Sequence, residues 1–150
     1  MSLLKKLGWT AASALLASGL VSTAWAESAA ERAVKEAQKY KGQTITIVWE
    51  AGLQSLDPLN FSGPLWEKLT GMKVKVIEVQ TAEMFTKIMQ EYRAGTGAYD
   101  ALNIIPAWLP DLAQAGAIEQ LDSMVDKYGY RAELQKIAPT YRDNQMMVNG

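Results

Sequence analysis

Two short segments carry the side chains best suited to hold a ligand: Trp49-Glu50, followed by Ala51-Gly52 and Gln54, and Pro106-Ala107-Trp108. Each sets an aromatic beside small residues, and the first adds a carboxylate. An indole offers a flat apolar face to the C–H side of a polyhydroxylated molecule. A carboxylate accepts paired hydroxyl hydrogen bonds, and small residues let a ligand approach the backbone. An apolar platform with a few placed polar groups is what a small-molecule cleft uses. Each residue also has an ordinary structural use. Trp49 can pack under a helix. Glu50 can be a loop acid or complement a helix N-terminus, and Trp108 can staple its helix onto a sheet.

What is missing narrows the chemistry. The 150 residues contain no histidine and no cysteine. This removes most zinc, haem and iron–sulfur options, the Ser-His-Asp triad and Cys-His nucleophiles, and no cofactor is implied. Gly95-Thr96-Gly97 has a superficial likeness to a phosphate loop. It follows a helical pattern and precedes a strand, the wrong order, and lacks the Lys-Ser/Thr that such loops need. A glycoside hydrolase would need two acids on facing loops, and only Glu50 stands at a strand end.

The first 26 residues read as a removable export signal. Lys5 and Lys6 form a positive n-region, Leu7 to Val21 is apolar or small, and Ala24-Trp25-Ala26 fits a small-x-small cleavage site. As a helix the apolar stretch is roughly 22 Å long, short of the roughly 30 Å of a bilayer core. The mature chain is expected to begin at Glu27. A bacterial lipoprotein needs Cys there, so the exported product is expected to be periplasmic, soluble and untethered, with no disulfides. Removing residues 1–26 takes two lysines, so Lys+Arg falls from 15 to 13 against 16 Asp+Glu, a net charge near −3. Mild acidity gives no reason to expect nucleic acid or anionic membrane as a partner.

The elements that must position the two segments follow in order. Glu27 to Tyr40 reads as a polar, Ala-rich surface helix with Glu31/Lys35 and Arg32/Glu36 at i,i+4, ended by Gly42. Thr44–Trp49 is a β-branched strand, broken at Glu50-Ala51-Gly52. A loop through Ser55, Asp57 and Pro58 leads to a short helix over Leu65–Thr70. Met72–Val79 is a second strand, with Lys73 and Lys75 marking it as an edge. Thr81 is placed to cap the next helix, whose apolar stripe is Met84, Phe85, Ile88, Met89 and Tyr92. Tyr99–Ile105 reads as a third strand in a buried parallel position, with Asp100 at its start in a structural role. Pro106 stops it. Short helices are expected over Pro110–Ala115, within Ile118–Tyr128 and over Arg131–Ile137, then a strand at Met146–Val148. Asn149-Gly150 is a strong hairpin signal, and a turn with nothing after it marks the chain as the N-terminal piece of something longer. Strand and helix alternate, which predicts an α/β fold with a mostly parallel sheet and helices on both faces. In such a sheet, ligands bind beyond the carboxyl ends of the strands, where Trp49-Glu50 and Pro106-Ala107-Trp108 fall.

Three segments carry a resemblance: Thr44–Gly52 (TITIVWEAG), Trp66–Val79 (WEKLTGMKVKVIEV) and Tyr99–Asp122 (YDALNIIPAWLPDLAQAGAIEQLD). Their ordered set resembles the N-terminal part of family 1 extracellular solute-binding proteins, the sugar-binding subunits of ATP-binding-cassette importers. Maltodextrin- and glycerol-phosphate-binding proteins are members. The resemblance covers about residues 43–150, with 27–42 as a leading helix. It implies the N-terminal lobe of a type II periplasmic-binding-protein-like fold, incomplete here, whose second lobe closes over a ligand. It implies ligand contacts at Trp49, Glu50, Pro106, Ala107 and Trp108. It also implies a carbohydrate or polyol as small-molecule partner, ABC permease subunits in the inner membrane as protein partners, a monomeric state and no catalysis. The remaining readings are a secreted glycoside hydrolase fragment and a periplasmic sensor input domain.

Overall fold

The computed structural model describes residues 27–148. The export segment and the Asn149-Gly150 turn therefore lie outside the described residues. Among those residues, no helix is long and apolar enough to cross a membrane.

A three-stranded parallel sheet of order β2-β1-β3 organises the chain. The β-branched run forms β1 (Thr44–Glu50) at its centre, with Val48 fully buried. On one side β2 (Lys73–Val79) pairs along its whole length, from Thr44↔Lys73 to Glu50↔Val79. On the other, β3 (Ala101–Leu102) pairs as Ile47↔Ala101 and Val48↔Leu102. Lys73 and Lys75 are exposed, as an edge strand requires.

The connection from β1 to β2 runs through α2 (Leu56–Asn60) and α3 (Ser62–Thr70). From β2 to β3 it runs through α4 (Thr81–Ala94). The two crossovers step in opposite directions across β1. Parallel crossovers are right-handed, so α3 and α4 cover opposite faces. Packing agrees. Gly63 in α3 sits over Val74, whereas Met84 and Ile88 of α4 join Val48, Val79 and Leu112 in the buried cluster. Leu112 belongs to α5 (Leu109–Ala115).

Several elements depart from the sequence expectation. The Ser55–Pro58 stretch is not all loop. Pro58 sits in the first turn of α2, where a helix loses nothing by its missing N–H. Then α3 starts at Ser62 instead of Leu65. Its Gly63 is buried against α2, and a Cβ there would lie 2.2 Å from the Pro58 carbonyl oxygen. The third strand is two residues long, not seven, and has one strand neighbour among the described residues. Its flanks still bond to β1, through Asp100 N–H to the Thr46 carbonyl (2.9 Å) and Asn103 N–H to the Val48 carbonyl (2.8 Å). The apolar run is accounted for by one face alone, since Leu102 and Ile104 pack on the cluster beneath α4 and α5. Glu50 does not break β1 but is its last paired residue. Tyr92, expected in the core stripe, is 46% exposed in the last turn of α4, just before the Gly95 cap.

At the N-terminus, α1 (Ala29–Ala37) runs into a 3₁₀ turn, Gln38–Tyr40. A capping box replaces the expected Glu31/Lys35 pair. Ser28 accepts from Glu31 N–H, and Glu31 accepts from Ser28 N–H and hydroxyl. Glu36 pairs with Lys39 at 2.8 Å instead of Arg32, and Arg32 stacks over Tyr130 at 5.3 Å. After α5 come α6 (Asp122–Lys127), α7 (Arg131–Leu134) and α8 (Pro139–Gln145), none with a buried residue. Pro139 begins a helix where the sequence pointed to an end, because proline suits the first helical position. Met146–Val148 forms no strand; nothing among the described residues pairs with it.

Candidate functional site

The loops after β1 and β3 leave the sheet at its carboxyl end. They flank the point where the chain, having stepped from β1 to β2, returns across β1 to β3. Such a reversal of strand order opens a crevice between the two diverging loops.

Glu50 closes β1 and is half-buried. The Thr81 hydroxyl, in the first turn of α4, donates to its Oε1. Thr81 is therefore not the cap of α4. That place falls to Gln80, whose side chain makes no capping bond, and the threonine hydroxyl reaches across to the strand. Ala51 N–H donates to the Val79 carbonyl (2.9 Å), carrying the β1–β2 ladder one step past the strand. Gly52 follows at φ +102°, a left-handed value that favours glycine, and the loop turns there. Ser55, fully buried, fastens the far side of the turn. Its hydroxyl lies 2.8 Å from the Gly52 carbonyl and 2.5 Å from Glu78 Oε1, with one proton for the two acceptors. Between these anchors, Leu53 is 88% exposed at the tip.

Trp49 is half-buried and stands beside Glu78, its register partner. Side chains alternate along a strand. Trp49 thus faces away from Val48 and Glu50, toward the α3 side of the sheet. Pro106-Ala107-Trp108 forms a 3₁₀ turn leading into α5, with Trp108 N–H donating to the Ile105 carbonyl at 3.0 Å. Pro106 and Ala107 are exposed. Trp108 packs on the buried cluster, its ring 5.8 Å from that of Phe85 and tilted by 52°. Glu50 and the 106–108 turn therefore share one face and one end of the sheet. Trp49 shares the end but looks to the other face, and Trp108 has given much of its ring to packing.

Sequence reasoning missed Ser55 and the cross-strand use of Thr81. A hydroxyl just beyond a strand or at a helix start is too common to single out. Only the meeting of β1, β2 and α4 shows which acceptor each hydroxyl serves. Asp100 does what its position at the amino end implied: Thr46 N–H donates to its Oδ2 at 2.7 Å, clamping β3 to β1.

Two grooves lie elsewhere. One, of about 300 Å³, runs beside the amino end of β3 between Tyr92, Gly97, Tyr99 and Ala117. The other, of about 230 Å³, separates α1 from Lys127, Tyr128 and Tyr130. Neither is lined by Trp49, Glu50 or the 106–108 turn. Among the described residues no cluster of His, Cys, Asp and Glu could hold a metal ion.

No protein-family model and no curated sequence matches the chain. Among solved structures it is similar to an ABC transporter solute-binding protein from Agrobacterium radiobacter K84, determined in complex with ribitol. The TM-score is 0.66 at 19% identity, over 73% of this chain and 27% of the other. The chain has the fold of part of a solute-binding protein. It spans about a quarter of that neighbour's length, and the shared architecture is mixed α/β around a parallel sheet.

Proposed function

We propose that this chain is the N-terminal lobe of the substrate-binding component of an ABC-type sugar importer of the family 1 kind, and that it takes a neutral carbohydrate or polyol at its carboxyl rim. The observation that carries this reading is the reversal of strand order at β1/β3, with Glu50 and the 106–108 turn emerging beside it. Glu50 accepts ligand hydroxyls, the exposed Pro106 and Ala107 let the ligand approach the backbone, and the free part of Trp108 flanks it, while Trp49 stands at the same end of the sheet on its other face. The ribitol held by the structural neighbour is a ligand of the same chemistry.

In this reading residues 1–26 direct export to the periplasm and are removed. A second lobe supplies the facing half of the cleft, a hinge closes on the ligand, and the closed monomer docks on the inner-membrane permease. No bond is made or broken.

The test is an NMR titration of the chain with ribitol and with oligosaccharides, which registers weak binding by a half-site. The indole N–H signal of Trp108 is expected to shift most and that of Trp49, at the same end on the other face, less, while that of Trp66 on α3 stays in place. Shifts confined to Trp66, or none, remove the rim site. Release of cleaved sugar would move the protein to the glycoside hydrolases.

A further inference from the structure

We propose that Thr81 is a positioning residue for ligand recognition, in that its hydroxyl holds the Glu50 carboxylate so that Oε2 alone is presented to the cleft. This rests on the rim-site reading above.

A glutamate at the end of a strand has three side-chain torsions, and unrestrained it spreads its carboxylate over many positions. Here Oε1 receives the Thr81 hydroxyl from an element 31 residues further along the chain. Threonine is stiff at χ1 because it is β-branched, so the donor is itself held. At the first turn of α4 this hydroxyl could have served its own helix, yet the bond goes to the strand. Among the described residues no donor reaches Oε2, and no buried side-chain oxygen there lacks a partner. Oε2 therefore keeps contact with solvent and can accept a hydrogen bond.

The consequence is a choice of ligand class. With the threonine proton used on Oε1, the pair offers an incoming molecule an acceptor carrying negative charge and no donor. A neutral polyol hydroxyl fits it, and a phosphate or carboxylate is repelled. Ordering the carboxylate beforehand also removes part of the entropy cost of fixing it on binding.

The experiment compares the full chain with Thr81→Val, which keeps the shape and loses the hydroxyl, and Thr81→Ser, which restores it. Thr81→Ala serves as a second hydroxyl deletion should the valine variant fail to fold. One readout needs no ligand: the Hα–Hβ scalar couplings of Glu50. They are expected to report one rotamer in the wild type and in Thr81→Ser, and rotamer averaging in the deletions. The second readout is the NMR affinity for ribitol, expected to fall about tenfold in the deletions and to return with serine, with glycerol 3-phosphate binding more weakly than ribitol in the wild type. Unchanged Glu50 couplings in a folded deletion variant overturn the proposal, as does ribitol affinity untouched by the loss of the hydroxyl. If the couplings respond as expected but the wild type takes up no polyol, the rim-site reading fails while Thr81 stands as the residue that fixes Glu50.

Discussion

At the scale of single residues, much of the architecture turns on a few close contacts. Asp100 is an example that could be read in advance. Placed at the amino end of a parallel strand, it stands away from any ligand crevice, and its carboxylate takes the Thr46 N–H instead. Asp100→Ala should cost about 1–2 kcal/mol in urea unfolding, without altering any response of Trp108 to ligand. Gly63 could not be read in advance. Beside a proline it looks like loop punctuation, yet the Pro58 carbonyl occupies the space where its side chain would lie. Gly63→Ala should destabilise the chain by about 3 kcal/mol or more, at the upper end of overpacking costs. A melting temperature equal to that of the wild type would show that α2 and α3 can separate freely.

Elements respond to their surroundings in ways that local pattern does not contain. The first helix illustrates this through pH. Ser28 N–H and hydroxyl, bonding to Glu31, hold its carboxyl below the usual glutamate range. A carboxyl whose folded pKa is depressed favours the folded form above its unfolded pKa, and that contribution disappears as pH falls through the folded value. The N-terminal turn of α1 should therefore fray as the solution is acidified below the ordinary glutamate pKa. Amide exchange at Arg32 and Ala33 is the measurement, and Ser28→Ala should show the frayed behaviour at neutral pH. The third strand makes the complementary point. Its apolar run was legible, but its length was not. Ladder length depends on which neighbours pair with it, and only β1 does so among the described residues.

At the scale of the whole molecule, the layout places a hydrophobic cluster under α4 and α5 and leaves α6, α7 and α8 with no buried residue. Stability is thus concentrated in the sheet and its helices, and the last quarter of the chain should exchange its amides fastest. The proposed export is tested at this scale too. The protein recovered from a periplasmic fraction should begin at Glu27 by N-terminal sequencing. Ala26→Tyr should leave the precursor uncut, since the cleavage site needs a small residue there. A mature product that retains Lys5 and Lys6 would remove the export reading.

The sequence by itself determined the class of fold and the order of its main elements. Alternation of β-branched runs with helical stripes is a local signal, and the right-handedness of parallel crossovers turns it into a layered sheet. It also located both loops at one end of that sheet, because strand direction follows from the connections. Tertiary structure alone decided which side chains meet. Trp49 and Glu50 are neighbours in the chain but alternate across the sheet. Glu50 therefore finds Thr81, and Trp49 stands beside Glu78. Trp108 looked equally ready to bind or to pack, and Phe85 settled much of its ring. Contacts between residues far apart in sequence depend on how the faces of the sheet are covered, and no stretch of local pattern carries that information.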